Sequence, residues 1–266
     1  AARSAAWNSL SANDRLSSLL RLEGAELWLY RRIRADDLPI ATPLGESLRQ
    51  AAHGAALRGM RVDEETEAVI DALTAARLPF TLIKGPARRA AAAPYPYADA
   101  RSTLDVDLLL PEANARAAHQ LLVASGYEPA GDPAESPLDH FHLPPLWNAR
   151  RVAVEMHTST SPWITPAEAW RRETEGADRV EWAGRALTVA PATELFWHAL
   201  VHAFVDGAAG FRLRAFLDGA VVLASGRPVD WPTIGGRIAS GEVRNRARGA
   251  AGDVETDLSP GWLNRP

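Results

Sequence analysis

Three acidic residues in two apolar runs have the spacing that metal chemistry requires. Asp105 and Asp107 lie in the run LDVDLLL, and Glu155 lies in the run RVAVEMH. Side chains two residues apart in a strand point to the same face, so the two aspartates are expected to lie together. Leu104 and Val106 alternate with them and are expected to face the core. If the two runs form neighbouring strands, all three carboxylates converge.

Converging carboxylates repel one another, and burying them is costly unless a cation neutralises their charge. Oxygen ligands favour a hard ion, so the pattern predicts a Mg²⁺ site, with Mn²⁺ as the alternative ion. A simpler interpretation is that the aspartates are exposed at a strand end and paired with Arg101 or Arg151. His157 shares the face of Glu155, where it either contacts the acceptor, a phosphate or a metal ion, or only supports the neighbouring carboxylates.

The only lysine of the chain, Lys84, precedes Gly85 at the end of the apolar run LPFTLIKG. Arginine fills every other strongly cationic position of this Ala- and Arg-rich sequence. A retained lysine suggests a function that needs a compact ammonium group rather than a planar guanidinium group. Pro86 follows and suits the first position of a helix, where its missing N–H costs least.

The order of these features resembles the nucleotidyltransferase superfamily with the DNA polymerase beta-like fold. An apolar strand, Lys-Gly, a helix, an arginine, an Asp-x-Asp strand and a strand ending in Glu-x-His follow one another. Over residues 78–223 the chain looks most like the bacterial branch called uncharacterised nucleotidyltransferase family proteins. The resemblance implies that Asp105 and Asp107 ligate magnesium. It also implies that Glu155 completes the metal site or helps to deprotonate the acceptor.

Nucleotide contacts follow from the same resemblance. Gly85 would let backbone amides approach the triphosphate, Lys84 and Arg101 would steady phosphates, and His157 would belong to the same nucleotide-binding set. The superfamily usually has Gly-Ser or Gly-Gly after its first strand, whereas this chain has Gly85-Pro86. Because proline removes an amide donor, Lys84 is expected to compensate.

The activity that the resemblance implies is transfer of a nucleoside monophosphate from a nucleoside triphosphate (NTP) to an acceptor, with release of pyrophosphate. The acceptor would be a small molecule, a peptide or a protein. Two alternatives stay open. Asp-x-Asp also binds the metal of a nucleotide sugar, so a glycosyltransferase is one alternative, although the region before Leu78 is predicted to be helical rather than a nucleotide-binding βαβ unit. The other is a catalytically inactive nucleotide-binding protein of the same fold.

Hydrophobic periodicity predicts an α+β fold, with a mixed β-sheet flanked by helices. Residues 1–77 are predicted to form an N-terminal helical region, with one long helix over residues 11–34 and two more over residues 42–58 and 62–77. Residues 78–190 would form the catalytic core, residues 191–240 a C-terminal helical region, and residues 241–266 a flexible tail.

The composition of the chain limits the classes of partner that the protein is expected to bind. The formal net charge of -4 argues against a nucleic-acid partner, because no overall basic field attracts a phosphate backbone. The absence of cysteine excludes disulfides and thiolate chemistry and is consistent with a cytoplasmic protein. No apolar run is long enough to suggest a membrane span.

Four histidines outside the Glu-x-His motif are further candidates for metal binding. His198 and His202 are four residues apart on one helix face, a spacing that suits zinc, but Ala199 stands where the protease motif needs glutamate. Packing between helices is therefore the favoured interpretation. His140 and His142 alternate before the Glu155 strand, where contact with a metal ion or an acceptor is the less favoured interpretation.

Overall fold

The computed structural model describes residue 7 and residues 15–23, 25–40, 42–91, 103–131, 141–161, 163–204 and 213–242. In these ranges the helices are α1 (Leu16–Glu23), α2 (Glu26–Ala35), α3 (Thr42–Ala75), α4 (Lys84–Ala90), α5 (Glu112–Ala124), α6 (Pro166–Thr174), α7 (Ala192–Phe204), α8 (Leu213–Ala224) and α9 (Trp231–Ser240). The strands are β1 (Thr81–Leu82), β2 (Asp105–Leu109), β3 (Glu128–Pro129), β4 (Leu146–Trp147), β5 (Ala153–His157), β6 (Asp178–Trp182) and β7 (Arg185–Val189).

The strands form one mixed sheet in the order β3-β4-β5-β2-β1-β7-β6. In its centre β2 runs parallel to β5 and antiparallel to β1. The hairpin β6–β7 joins the sheet through a parallel contact of β7 with β1. The predicted α+β fold with a mixed, helix-flanked sheet is therefore confirmed.

The N-terminal helices differ from the prediction in number. In the described part of the predicted single helix over residues 11–34 there are two helices, α1 and α2, with Ala25 between them; Gly24 precedes Ala25 in the sequence. Glycine is a poor helix former, and Ala25 has the non-helical torsions φ -107° and ψ 2°. Conversely, the two helices predicted over residues 42–77 are the single helix α3. One glycine, Gly59, costs only about 1 kcal/mol inside a helix, which does not stop it.

Two boundaries near the candidate site also differ. Helix α4 begins at Lys84, two residues before Pro86, after Ile83 in an extended conformation. Leu104 was predicted to face the core, but it lies before β2 and is 61% exposed. The pairing of β2 with β5 begins at Asp105 opposite Ala153, so Leu104 has no strand partner that would bury it.

Two main groups of buried apolar side chains organise the described part of the protein, and a third, small group joins Leu27 of α2 to Ala52 and Ala55 of α3. The larger surrounds the sheet and includes Val69 and Leu73 from the second half of α3. The smaller joins α1 and α2 to the first half of α3 and includes Leu20 and Leu48. Helix α3 therefore belongs to both.

The predicted C-terminal tail and two candidate site residues lie largely outside the described residues. Of the predicted tail, only residues 241 and 242 are described: Gly241 ends α9 with a φ of 86°, and Glu242 pairs with Arg172 at 3.0 Å. The remaining tail residues, together with Arg101 and His140, lie outside the described residues. Among the helices of the described ranges, none has the length and apolar character needed to cross a membrane.

Candidate active site

The parallel pairing of β2 with β5 brings the predicted carboxylates together. Asp107 is directly opposite Glu155 in the register, and Asp105 is opposite Ala153. Asp105 and Asp107 share one face of β2, as their spacing predicts. Asp107 is only 2% exposed, whereas Asp105 and Glu155 are half-buried. The sheet therefore holds three acidic groups side by side, with one of them buried.

Lys84 places its ammonium group among these carboxylates. Its Nζ atom is 2.7 Å from Asp107 Oδ1 and 3.6 Å from Glu155 Oε2. The side chain is 27% exposed, so it reaches from the surface of a cavity into the acidic group. Lys84, the only lysine of the chain, thus compensates the negative charge of Asp107, the most buried of the three carboxylates.

The backbone around Lys84 explains this placement. The N–H of Ile83 donates to the carbonyl oxygen of Asp107, which fixes the end of β1 beside β2. Lys84 then adopts a left-handed backbone conformation with a φ of 50°. For a residue with a side chain this conformation costs about 1–2 kcal/mol. Contacts that Lys84 makes with the carboxylates are expected to offset this cost.

His157 supports the same carboxylates from the end of β5. Its Nε2 atom is 3.0 Å from Asp107 Oδ1 and 3.4 Å from Glu155 Oε2. The ring is 1% exposed and stacks on Phe141, with ring centres 6.4 Å apart. A buried, stacked imidazole is held in one orientation, so it can fix the position of the Asp107 carboxylate.

The pKa values report how charge is balanced in this group. Burial opposes ionisation of Asp107, but a hydrogen bond from His157 and the charge of Lys84 hold its pKa below the usual range. The hydrogen bond from His157 also lowers the pKa of Glu155. Burial raises the pKa of Asp105, and the negative charges of Asp107 and Glu155 add to this effect. The negative charge around Asp105 is therefore less well compensated than the negative charge around Asp107.

The same carboxylates also shift the pKa of the Lys84 ammonium. Burial alone would lower the pKa of Lys84, but the nearby carboxylates, Asp107 first among them, outweigh it and raise that pKa. Lys84 is therefore held in its charged form.

These residues fit a divalent cation. Ligand atoms of Asp107, Glu155 and His157 all lie within 4.8 Å of one another, which suits a single ion with bonds of about 2.1 Å. The Asp105 carboxylate lies outside this group but adjoins it. With all three carboxylates ionised and Lys84 charged, the group carries an excess of negative charge, which attracts a divalent ion. An ion at this point requires Lys84 to withdraw from Asp107, which its flexible four-carbon chain permits.

A cavity of about 250 Å³ opens beside Lys84. We call it the histidine cavity because four histidines line it, together with Lys84 and Glu155: His142, His157, His198 and His202. Phe141 and Trp163 also line this cavity and provide aromatic surface.

His198 joins the cavity wall to the interior. It is 6% exposed, and its Nε2 atom is 2.9 Å from Oε1 of Glu173, a fully buried residue of α6. The predicted packing of His198 between helices is therefore confirmed, and it also lines the cavity. Sequence reasoning missed Glu173, because one glutamate in the polar run WRRETEG is typical of an exposed helix.

A second cleft, of about 450 Å³, is also lined by Glu155. We call it the arginine cleft because four arginines line it, together with Asp105 and Glu155: Arg58, Arg61, Arg150 and Arg151. Glu155 lines both spaces and therefore stands at their boundary. This cleft was not predicted, because its arginines come from two distant parts of the chain, α3 and the turn before β5.

Gly85 is the remaining predicted contact with a nucleotide. It is the buried second residue of α4, next to Lys84. The structure thus brings Lys84 and His157 into contact with the carboxylates, and Gly85 follows Lys84 directly in the chain.

The protein has an α+β fold with a central mixed sheet. Two neighbouring parallel strands of this sheet, β2 and β5, carry the carboxylates. Together they form an acidic centre suited to phosphate chemistry. Comparison with family models identifies it further. The model described as "Uncharacterised nucleotidyltransferase" matches residues 11–252. The chain therefore belongs to this nucleotidyltransferase family, and the resemblance seen in the sequence is confirmed. No curated protein matches the chain.

Solved structures with a similar arrangement include two of the antibiotic-resistance factor ANT(2'')-Ia. Its solution structure is 13% identical, with a TM-score of 0.47 over 68% of this chain and 91% of that chain. Its crystal structure in complex with adenylyl-2''-tobramycin is also 13% identical, with a TM-score of 0.47 over 71% and 98%. An antigenic nucleotidyltransferase-like protein from Paracoccidioides brasiliensis is 12% identical, with a TM-score of 0.40 over 63% and 75%.

Proposed function

We propose that this protein is a magnesium-dependent enzyme that transfers a nucleoside monophosphate from an NTP to an acceptor hydroxyl and releases pyrophosphate. The observation that carries the proposal is the register of β2 with β5, which gathers Asp105, Asp107 and Glu155 around a single ammonium group. Family membership supports the same class of reaction.

In this proposal Asp105, Asp107 and Glu155 hold the metal ion. Magnesium, when bound, supplies positive charge that stabilises the phosphate oxygens and the departing pyrophosphate. His157 keeps the Asp107 carboxylate in position through its hydrogen bond. Lys84 withdraws from Asp107 and binds the β- or γ-phosphate from the histidine cavity. Gly85 lets the triphosphate approach the backbone, and Arg101 completes the phosphate contacts.

The reaction is an in-line displacement at the α-phosphorus. The acceptor oxygen forms a new bond to phosphorus while the bond to the bridging α,β-oxygen breaks, and pyrophosphate leaves with that electron pair. Glu155 accepts the hydroxyl proton, because it stands at the boundary between the two spaces. Phe141 and Trp163 offer aromatic surface on which the base can stack.

Labelled triphosphates test this proposal. Purified protein is incubated with Mg²⁺, a cell extract and an NTP labelled at either the α- or the γ-phosphorus. We expect label to pass to an acceptor from the α position only. Transfer only from the γ position would instead identify a kinase.

Two carboxylate variants extend the test. Asp105→Asn and Asp107→Asn should each abolish transfer, whereas Glu128→Gln, an exposed residue of β3, should not. Circular dichroism checks that each variant is folded. Full activity in both aspartate variants would refute the metal site.

The two alternatives predict different results in a thermal-shift assay with Mg²⁺. A nucleotidyltransferase is stabilised by triphosphates, whereas a glycosyltransferase is stabilised by nucleotide sugars. Stabilisation by triphosphates without any transfer of α-label would support the inactive nucleotide-binding protein. In the described residues before Leu78 the chain is helical, with no strand that could begin a βαβ unit.

A further inference from the structure

We propose that the acceptor substrate carries an anionic group, phosphate or carboxylate, which binds in the arginine cleft, a space that Glu155 lines and Lys84 does not. This inference rests on the proposed function, because it assigns the second substrate of the same reaction. Three properties of the cleft support it: its position beside Glu155, its positive charge, and two arginines whose side chains make no hydrogen bond with a described residue.

The charge of the cleft departs from that of the whole protein. Four exposed arginines surround it, although the chain has a formal net charge of -4. Two of them have visible roles: Arg150 contacts Glu64, and the guanidinium of Arg151 lies 5.0 Å from the ring centre of Trp147.

Arg58 and Arg61 are different. In the described ranges, neither side chain makes a hydrogen bond or an ion pair with a described residue. They are three residues apart on α3, so they project from the same side of that helix. Two neighbouring guanidinium groups without an acidic partner repel each other, and an anion bound between them would relieve that repulsion. Guanidinium groups also bind phosphate and carboxylate through paired hydrogen bonds.

The floor of the cleft strengthens such a contact. Apolar residues line it, including Val62, Pro145 and Val152. Low polarity beside a guanidinium group reduces the screening of its charge by water. The acidic residues that line the cleft are Asp105 and Glu155, the same residues that are proposed to hold the metal ion. A bound divalent ion would offset most of their negative charge, so they would repel an anionic acceptor much less in the loaded enzyme.

The two spaces share Glu155, the residue proposed to take the acceptor's proton. In an in-line displacement the attacking oxygen and the leaving group occupy opposite sides of the phosphorus. Lys84, the proposed partner of the leaving phosphates, lines the histidine cavity and not the arginine cleft. The acceptor hydroxyl therefore approaches from the arginine cleft, with its anionic group held by Arg58 and Arg61.

A binding experiment tests this assignment without an identified acceptor. The protein is saturated with Mg²⁺ and a non-hydrolysable NTP analogue, and the probes are glycerol, glycerate and glycerol 3-phosphate, each titrated with ligand-observed NMR. The variant is Arg58→Gln/Arg61→Gln. The control is Arg34→Gln/Arg179→Gln, which removes the same charge at exposed positions outside the cleft.

We expect glycerol 3-phosphate, glycerate or both to bind wild type and control, and glycerol not to bind. Preference for one anion identifies the group as phosphate or carboxylate. The cleft variant should lose at least tenfold in affinity for the anion while its affinity for the NTP analogue changes less than twofold. Equal anion binding by cleft variant and control, or no anion binding by wild type, would overturn the assignment. Loss of affinity for the NTP analogue in the cleft variant would also overturn it, because the cleft would then hold the triphosphate.

Failure of this acceptor assignment can be distinguished from failure of the proposed function. The titration measures binding only, whereas the proposed function fails when wild-type protein transfers no α-label to any acceptor. Where transfer is seen, the acceptor in the extract should be retained on an anion-exchange column. The cleft variant should then raise the KM for that acceptor more than the KM for the NTP.

Discussion

At the scale of single residues, Lys84 occupies the position where a metal ion would neutralise Asp107 and Glu155. Its ammonium is 2.7 Å from Asp107, and its backbone is held in a left-handed conformation. The Lys84 ammonium thus stabilises the protein when no metal ion is bound. It would have to move away from Asp107 when a metal ion binds. Lysine suits both states, because its ammonium is a point charge on a flexible chain.

Replacing this ammonium tests whether it shares a site with the metal ion. Lys84→Met should lower the free energy of unfolding in EDTA by about 2–3 kcal/mol, less than for a fully buried pair because Lys84 is partly exposed. Mg²⁺ should then raise the melting temperature of the variant more than that of wild type, since the ion fills a position already cleared. Thermal unfolding with EDTA and with MgCl₂ measures both. An equal effect of Mg²⁺ on both proteins would contradict a shared site.

At the scale of elements, a buried ion pair joins the C-terminal helices to the helix that carries Lys84. Arg88 of α4 and Asp218 of α8 are 3.0 Å apart, and both are almost fully buried. A charge left alone in such a place is costly, so each residue depends on the other. The pair therefore fixes α8 against α4.

Asp218→Ala should lower the free energy of unfolding by about 3–5 kcal/mol, because it leaves the Arg88 guanidinium buried without its partner. Urea denaturation measures the loss. The double variant Arg88→Met/Asp218→Leu should recover most of it, since no buried charge remains. Glu46→Gln, which removes an exposed pair with Arg49, is the control and should have a far smaller effect, because exposed ion pairs contribute little.

Helix α6 shows how an element contributes to the pH dependence of stability. Thr165 accepts a hydrogen bond from the N–H of Glu168 at its start, and Arg171 and Arg172 lower the pKa of Glu168 to about 2. A carboxyl group whose pKa is lower in the folded protein stabilises the fold above its unfolded pKa. That contribution is lost as the pH falls towards its folded pKa.

Glu168→Gln should therefore lower the melting temperature at pH 7 by about 1–3 °C, a modest effect because the ion pairs are largely exposed. The difference from wild type should shrink below about pH 4.5 and vanish near pH 2. Thermal melts across this pH range measure it. The exposed Glu181→Gln removes the same charge without removing an ion pair among the described residues. A difference for Glu168→Gln that stays constant down to pH 2 would contradict the role of its charge.

At the scale of the whole molecule, α3 connects two cores. Its second half contributes Val69 and Leu73 to the core around the sheet, whereas its first half packs with α1 and α2. The predicted boundary at residue 77 thus falls after a helix that the sheet needs. We propose that residues 1–41 form the separable part of the N-terminal region.

Two truncations test this boundary. Deleting residues 1–41 should leave a protein that unfolds cooperatively, at a lower temperature than the whole chain. Deleting residues 1–77 should leave no cooperative transition, because the sheet loses the apolar side chains of α3. Circular dichroism melts distinguish these results. Cooperative unfolding of the shorter fragment would show that the sheet does not depend on α3.

The sequence by itself determined the local features of this protein. The spacing of Asp105 and Asp107 put both on one strand face, because the alternation of side chains in a strand is a property of the backbone. Helices and the Glu155 strand followed from periodicity for the same reason. Boundaries were less predictable: Leu104 is exposed because the partner strand begins one residue later, which no local pattern records.

Only the tertiary structure decided what surrounds the carboxylates. The contact of Lys84 with Asp107, the contact of Glu173 with His198, and the cleft lined by Arg58 and Arg61 each join residues far apart in the chain. Such contacts depend on how helices pack on the sheet, and a lysine, a glutamate or an arginine looks the same locally whether it is solvated or enclosed. The sequence therefore identified the acidic residues of the site, and the packing of the chain set their charge balance and the two spaces around them.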